Sequence, residues 1–203
     1  MKDLGLLALR LTTGGLLAGH GAQKLFGSFQ GPGPEGTAGW LESMGLRPGK
    51  QWAMAAGLSE FGGGILTALG LAWPLGPIAI MSSMATAAGT AHRGKPIWAT
   101  AGGAELPLTN FAAGLALMLT GPGRIALDKA LGTRLPFTLS ALALLGAAGG
   151  VALAVSAKPD QPAEQEQPGE SPATPATQSQ APPMPDEGLP AATPAPVAAA
   201  QPA

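Results

Sequence analysis

Few side chains in this chain are of types that do chemistry, and they are spaced so that most of them can meet. Arg10, His20, Lys24, Glu60, His92 and Glu105 are ionisable residues within or beside its apolar stretches. Glu60 is the most informative. It interrupts the run "AAGLSEFGGGILTALGLAW", which is apolar almost throughout. A carboxylate at such depth is costly unless it has a partner or a task. His20 and Lys24 are four residues apart and share a helix face, so either base is a candidate partner. An ammonium or imidazole can hold an oxygen of a ligand while the carboxylate relays a proton. The reading therefore takes Glu60, His20 and Lys24 as candidate catalytic residues, and Arg10, His92 and Glu105 as candidate substrate-binding ones. Cysteine is absent, so any thiol chemistry would belong to a partner.

The elements that position these residues follow from composition. Of 203 residues, 46% are hydrophobic and only 11% charged, with 31 Gly and 21 Pro. A soluble domain carries about 25% charge, which points to a membrane protein. Five apolar segments are expected as helices: Leu4 to about Phe26, Trp52 to Trp73, Pro74 to His92, Leu106 to Thr120, and Leu135 to Val155. About 20 apolar helical residues cross a bilayer. Trp52 and Trp73 would bracket the second segment about 31 Å apart, as interfacial anchors. A secretory leader is the rival reading of the first segment, but Arg10 interrupts its apolar run. Gly15 with Gly19, and Gly146 with Gly150, form small-xxx-small pairs suited to close helix packing.

Depth then sorts the polar residues. The first and third segments run the same way, so His20, Lys24, Glu60, His92 and Glu105 collect toward one side of the bundle. Glu60 lies about 12 Å past Trp52 and His20 about 9 Å before Phe26, at matching depth. Arg10 is on nearly the same face as Lys24 but about 21 Å further along, nearer the opposite surface. Blander roles stand beside these. A buried charge pair can simply lock packing, the histidines can be interfacial, and Glu105 can mark a helix start, where a carboxylate suits the dipole. Paired axial histidines for haem have no other support in the sequence. Neither do metal or nucleic-acid sites.

The connecting stretches are also readable. "GPGPEGTAGWLESMGLRPGKQ" offers a short helix from about Thr37 to Met44, with Trp40, Leu41 and Met44 on one side, fit to lie in an interface plane. "GPGRIALDKALGTR" reads as a turn followed by a short basic amphipathic piece. Residues 1–157 hold ten Lys and Arg against six Asp and Glu, whereas residues 158–203 hold one against six. That last stretch also has 12 of the prolines and no aromatic residue, which predicts a disordered acidic tail.

Taken in order, "GHGAQKLFG", "GWLESMGLRP", "AAGLSEFGGGILTALGLAWPLG", "MATAAGTAHRGKP", "GGAELPL" and "GPGRIALD" resemble the DoxX family of small bacterial membrane proteins. The resemblance implies an all-α fold, an integral-membrane four-helix bundle over residues 1–131. This chain adds a transmembrane helix at 132–157 and the tail at 158–203. Arg10, His20, Lys24, Glu60, His92 and Glu105 match the family's polar positions. Some relatives serve as the small subunit of a thiosulfate:quinone oxidoreductase. The resemblance thus implies a multi-pass protein of the bacterial inner membrane, a subunit or accessory of a quinone-linked redox system. Its expected partners are membrane lipid and other redox subunits, with quinone as the cofactor to consider. A non-catalytic scaffold docking soluble redox enzymes, and a small-anion carrier using Arg10 and Lys24, are the alternatives.

Overall fold

The computed structural model describes residues 1–158; of the expected tail only Lys158 falls within that range, and residues 159–203 lie outside it. Seven α-helices make up the described chain: α1 (Lys2–Phe26), α2 (Gly33–Ser43), α3 (Gly49–Leu69), α4 (Leu75–Gly89), α5 (Glu105–Thr120), α6 (Leu127–Leu131) and α7 (Phe137–Ser156). The five expected segments correspond to α1, α3, α4, α5 and α7. In space α1 packs on α3, α3 on α4 and α4 on α5, with α5 returning to α1, while α7 lies along α4 and α2 caps α3. The short helix expected from Thr37 is α2. Its Leu41 is buried with Leu46, Ala53 and Ala154, so it is packed into the bundle rather than lying apart.

The α1–α3 seam sets the geometry. Arg10, Thr13, Gly14, Leu17 and Gly21 of α1 are buried, as are Ala53, Gly57, Glu60, Gly64 and Thr67 of α3. Both sets step by three and four residues, which keeps one face of each helix toward the other. Glycine makes the approach close. A methyl group at Gly21 would lie 2.2 Å from the Phe61 backbone nitrogen, and one at Gly64 would lie 2.5 Å from the Gly14 carbonyl oxygen. The expected small pairs are different residues from these. Cβ positions at Gly15, Gly19, Gly146 and Gly150 meet nothing within 4 Å, so they do not mediate helix packing. In α1 the glycines pressed inward are Gly14, one residue from Gly15, and Gly21, seven residues further on.

Many leucines and a methionine lie on the outside. Leu4, Leu11 and Leu16 of α1, Met54, Leu58 and Leu69 of α3, and Leu142, Leu145 and Leu153 of α7 are all exposed. Arg10, Glu60 and Thr67 are buried. Charged and hydroxyl groups thus share the interior with Leu17, Ile80 and Leu117, while many large apolar side chains face outward, unlike the surface of a water-soluble domain. Of the described helices, α7 alone is long and apolar enough to pass as a membrane span on length and hydropathy, and α4 is apolar but shorter. The glycines and charges of the α1–α3 seam lower the hydropathy of those two long helices.

At the end of the bundle where α3 turns into α4, the loop after α5 is latched down. Helix α3 stops at Leu69 rather than near Trp73, because Gly70 takes a left-handed conformation (φ 65°). The indole nitrogen of Trp73 is buried without a hydrogen-bond partner, so it is not placed as a surface anchor paired with Trp52. Asp128 of α6 accepts hydrogen bonds from the backbone N–H groups of Ala72 (3.0 Å) and Trp73 (2.8 Å) and from the Thr133 hydroxyl (2.7 Å). Burial pushes the Asp128 carboxyl up. The Thr133 hydroxyl, the two backbone donors and the nearby Lys129 charge outweigh that and hold it below the ordinary carboxylate range.

Two outcomes follow from this packing. Gly21→Leu should lower the unfolding midpoint of the detergent-solubilised protein by a loss of about 2 kcal/mol or more, since it overpacks a backbone contact. Gly15→Leu, into open space, should be nearly neutral; equal losses would refute the packing face. For Asp128, a folded pKa below the unfolded value near about 3.9 means its contribution is complete above that pH and is lost as pH falls through the folded value. Asp128→Asn should therefore cost about 1–3 kcal/mol at neutral pH. The difference from the unaltered protein should shrink in acid, as read by thermal unfolding at a series of pH values.

Candidate functional site

Glu60 is 4% exposed at the middle of α3. The Lys24 ammonium, from the last turns of α1, donates to Glu60 Oε2 in an ion pair. The Ser83 hydroxyl, from α4, donates to Glu60 Oε1 at 2.8 Å. Three helices thus converge on one carboxylate, and both of its oxygens are engaged. The seam explains why. Lys24 continues the inward series of Leu17 and Gly21, and Gly57 and Gly64 flank Glu60 by three and four residues. The close backbones let a lysine reach across the seam. Of the two bases considered from the sequence, Lys24 is the partner.

The pair forms part of the wall of a cleft of about 810 Å³ that also exposes Ser59, Asn110, Trp40 and Trp52. That volume is in the range of small-molecule sites, which are typically apolar with a few convergent polar groups. His20 lines it as well, and its Nδ1 pairs with the Gln23 side-chain oxygen at 3.1 Å. His92 lines it from the loop after α4. The His92 Nδ1–H donates to the Gly102 carbonyl at 2.7 Å, which leaves Nε2 as the acceptor of the neutral ring. The cleft therefore holds one carboxylate, its ammonium partner, two imidazoles and several hydroxyl or amide groups within a mostly apolar surround. Such a set can donate hydrogen bonds to ligand oxygens and exchange protons with them.

The remaining two candidates lie elsewhere. Arg10 is 1% exposed and belongs to the latched end, donating from Nη1 to the Pro122 carbonyl (2.5 Å) and from Nη2 to the Ile125 carbonyl (2.7 Å). It does not line the cleft. Glu105 does not line it either; its Oε2 accepts from the Ala99 N–H at 2.8 Å, and it opens α5 as a helix-start carboxylate does. Ser83 was missed in the sequence. The signal was available: Ser82 and Ser83 interrupt an apolar segment at the depth of Glu60. Among the described residues no group of three or more metal-ligating side chains comes together.

Residues 5–93 match the family model DoxX. That stretch runs from α1 through α4 and includes Arg10, His20, Lys24, Glu60, Ser83 and His92, while Glu105, α5, α6 and α7 lie beyond it. No curated protein and no solved structure matches the chain. Residues 5–93, just under half of the chain, thus carry a DoxX domain, the domain of a membrane-protein family.

Proposed function

We propose that the cleft binds the head group of a lipid-soluble quinone and that the chain is a multi-pass inner-membrane subunit or accessory of a redox system. The observation that carries this reading is a Lys24–Glu60 pair with its carboxylate buried and its lysine half-buried, completed by Ser83, in the wall of a largely apolar cleft. Multi-pass insertion is supported by the outward leucines and inward polar groups of α1 and α3. At 25 and 21 residues, these helices extend about 38 and 32 Å, enough to cross a hydrocarbon core of about 30 Å.

A quinone presents two carbonyl oxygens that accept hydrogen bonds. Its reduction to the hydroquinone takes two electrons and two protons, one proton for each oxygen. Lys24 has N–H bonds beyond the one it gives Glu60, and it can hold or protonate one oxygen. Glu60, touching both Lys24 and Ser83, is the group through which that proton is replaced. A histidine at the cleft wall, His20 or His92, serves the other oxygen. None of these side chains carries electrons, so a partner redox protein supplies them.

The test uses the fluorescence of Trp40 and Trp52, which line the cleft, with a decyl-tailed benzoquinone as quencher. The double variant Lys24→Met with Glu60→Gln removes the pair without stranding a buried charge. It should weaken the apparent affinity about tenfold, the equivalent of one or two hydrogen bonds. Glu60→Gln alone should abolish quinone-dependent turnover in a reconstituted preparation while insertion persists. Unchanged affinity and turnover would remove the pair from the function.

A further inference from the structure

Helix α7 lies outside the stretch that matches the family, yet Gly146, Ala147, Gly150 and Val151 all face the same cleft as Lys24 and Glu60. Its C-terminal end is fixed in place. Val155 sits against Gly89 at the end of α4, the Arg93 guanidinium donates to the Val155 carbonyl, and Ala154 is fully buried among Leu41, Leu46 and Ala53. That contact also sets the register, because α4 and α7 run in the same direction. Six residues back from Gly89 is Ser83, and six back from Val155 is Gly149, beside Gly150, each about 9 Å from the shared end. The cleft-facing glycine is therefore level with the hydroxyl that holds Glu60.

Glycine inside a helix sacrifices stability relative to alanine, and at Gly146 and Gly150 it leaves the cleft-facing backbone of α7 bare. Helix packing does not call for them, since Cβ positions at Gly146 and Gly150 have no atom within 4 Å. Gly149 has none either, but it does not line the cleft.

From this we infer that α7 is the second wall of the ligand slot. The Gly146–Gly150 face and the Lys24–Glu60–Ser83 group line one cleft, and a flat ring held by that group is covered by this face. The inference rests on the quinone reading and adds that the ligand's size is set by a helix outside residues 5–93. Gly150 is thus a specificity-determining position, acting by the space it leaves open. The ring is sandwiched: polar donors meet its oxygens from α1 or the loop after α4, and a bare helix backbone covers its face.

Quenching of tryptophan fluorescence in the full-length, detergent-purified protein tests this with a tailless benzoquinone and its decyl-tailed counterpart. Gly150→Phe should weaken both probes about tenfold or more, because a side chain then occupies the slot. Gly149→Phe makes the same substitution on the same helix but away from the cleft, and should bind both probes like the unaltered protein. Should Gly150→Phe fail to fold, Gly146→Leu, one turn earlier on the same face, should show the same loss. Superimposable titrations for the unaltered protein and the Gly150 or Gly146 variants would overturn the inference while leaving the quinone reading in place. Equal damage from Gly149→Phe would overturn it too. No quenching of the unaltered protein by either probe would overturn the quinone reading and this inference with it.

Discussion

A carboxylate can stay in the middle of an apolar helix pack only if its partners reach it at hydrogen-bonding distance, and here that depends on how closely two backbones approach. Gly14, Gly21 and Gly64 bring α1 and α3 into contact at levels where any side chain would collide with the facing helix. Leu17 lies between those levels, and Lys24 and Glu60 lie beside the Gly21 level on the same seam. Burying the pair costs solvation for both ions, and only good geometry with further hydrogen bonds offsets that cost. Ser83 supplies the further bond. Remove the close approach and the lysine no longer spans the gap, the serine no longer compensates for it, and the carboxylate is left unpaired.

The two ends of the bundle show the same residue types put to different uses. Arg10 and Asp128 are both buried charges, but their partners are mainly backbone groups: carbonyls for the arginine, N–H groups for the aspartate. Those bonds fasten a loop, and neither residue lines the cleft. At the other end the charges bond side chain to side chain and border an open volume. A backbone partner holds the chain in place and cannot change its protonation in the working range. A lysine, a carboxylate and a hydroxyl can pass a proton among themselves. Burial alone does not separate these two cases; the identity of the partners and the presence of space do.

Much of this was legible in the sequence, and what escaped has physical causes. Helix positions could be read because apolar runs bounded by Gly and Pro leave little choice of element. Depth counting brought Glu60 level with His20 and within reach of Lys24, since rise per residue is fixed once the helices are. Which base would take the carboxylate depended on rotation about the axis, and there the heptad from Arg10 through Leu17 to Lys24 decides for the lysine. The same rotation decided the glycines. Gly14 and Gly15 are neighbours, and only the facing helix determines which of them is pressed inward. The end of α3 could have been placed better, because "LGLAWP" carries a glycine suited to the left-handed cap that stops the helix at Leu69. The cleft could not be read at all, since empty space is a property of several helices together.

Helix α4 links the two halves of the site. One of its faces presents Ser83 to the carboxylate, and its last turn, at Gly89, receives Val155 of α7. Because both contacts are on one rigid helix, the position of α7 is referred to the position of Glu60. Residues 5–93 are enough to assemble the charge pair, since α1, α3 and α4 all fall within them. They are not enough to enclose the cleft, whose lining also takes Pro107 and Asn110 from α5 and Gly150 from α7. The polar chemistry and the shape of the space beside it are thus assigned to different parts of the chain. A substitution in α5 or α7 can alter which molecule fits without touching a single hydrogen bond of the pair.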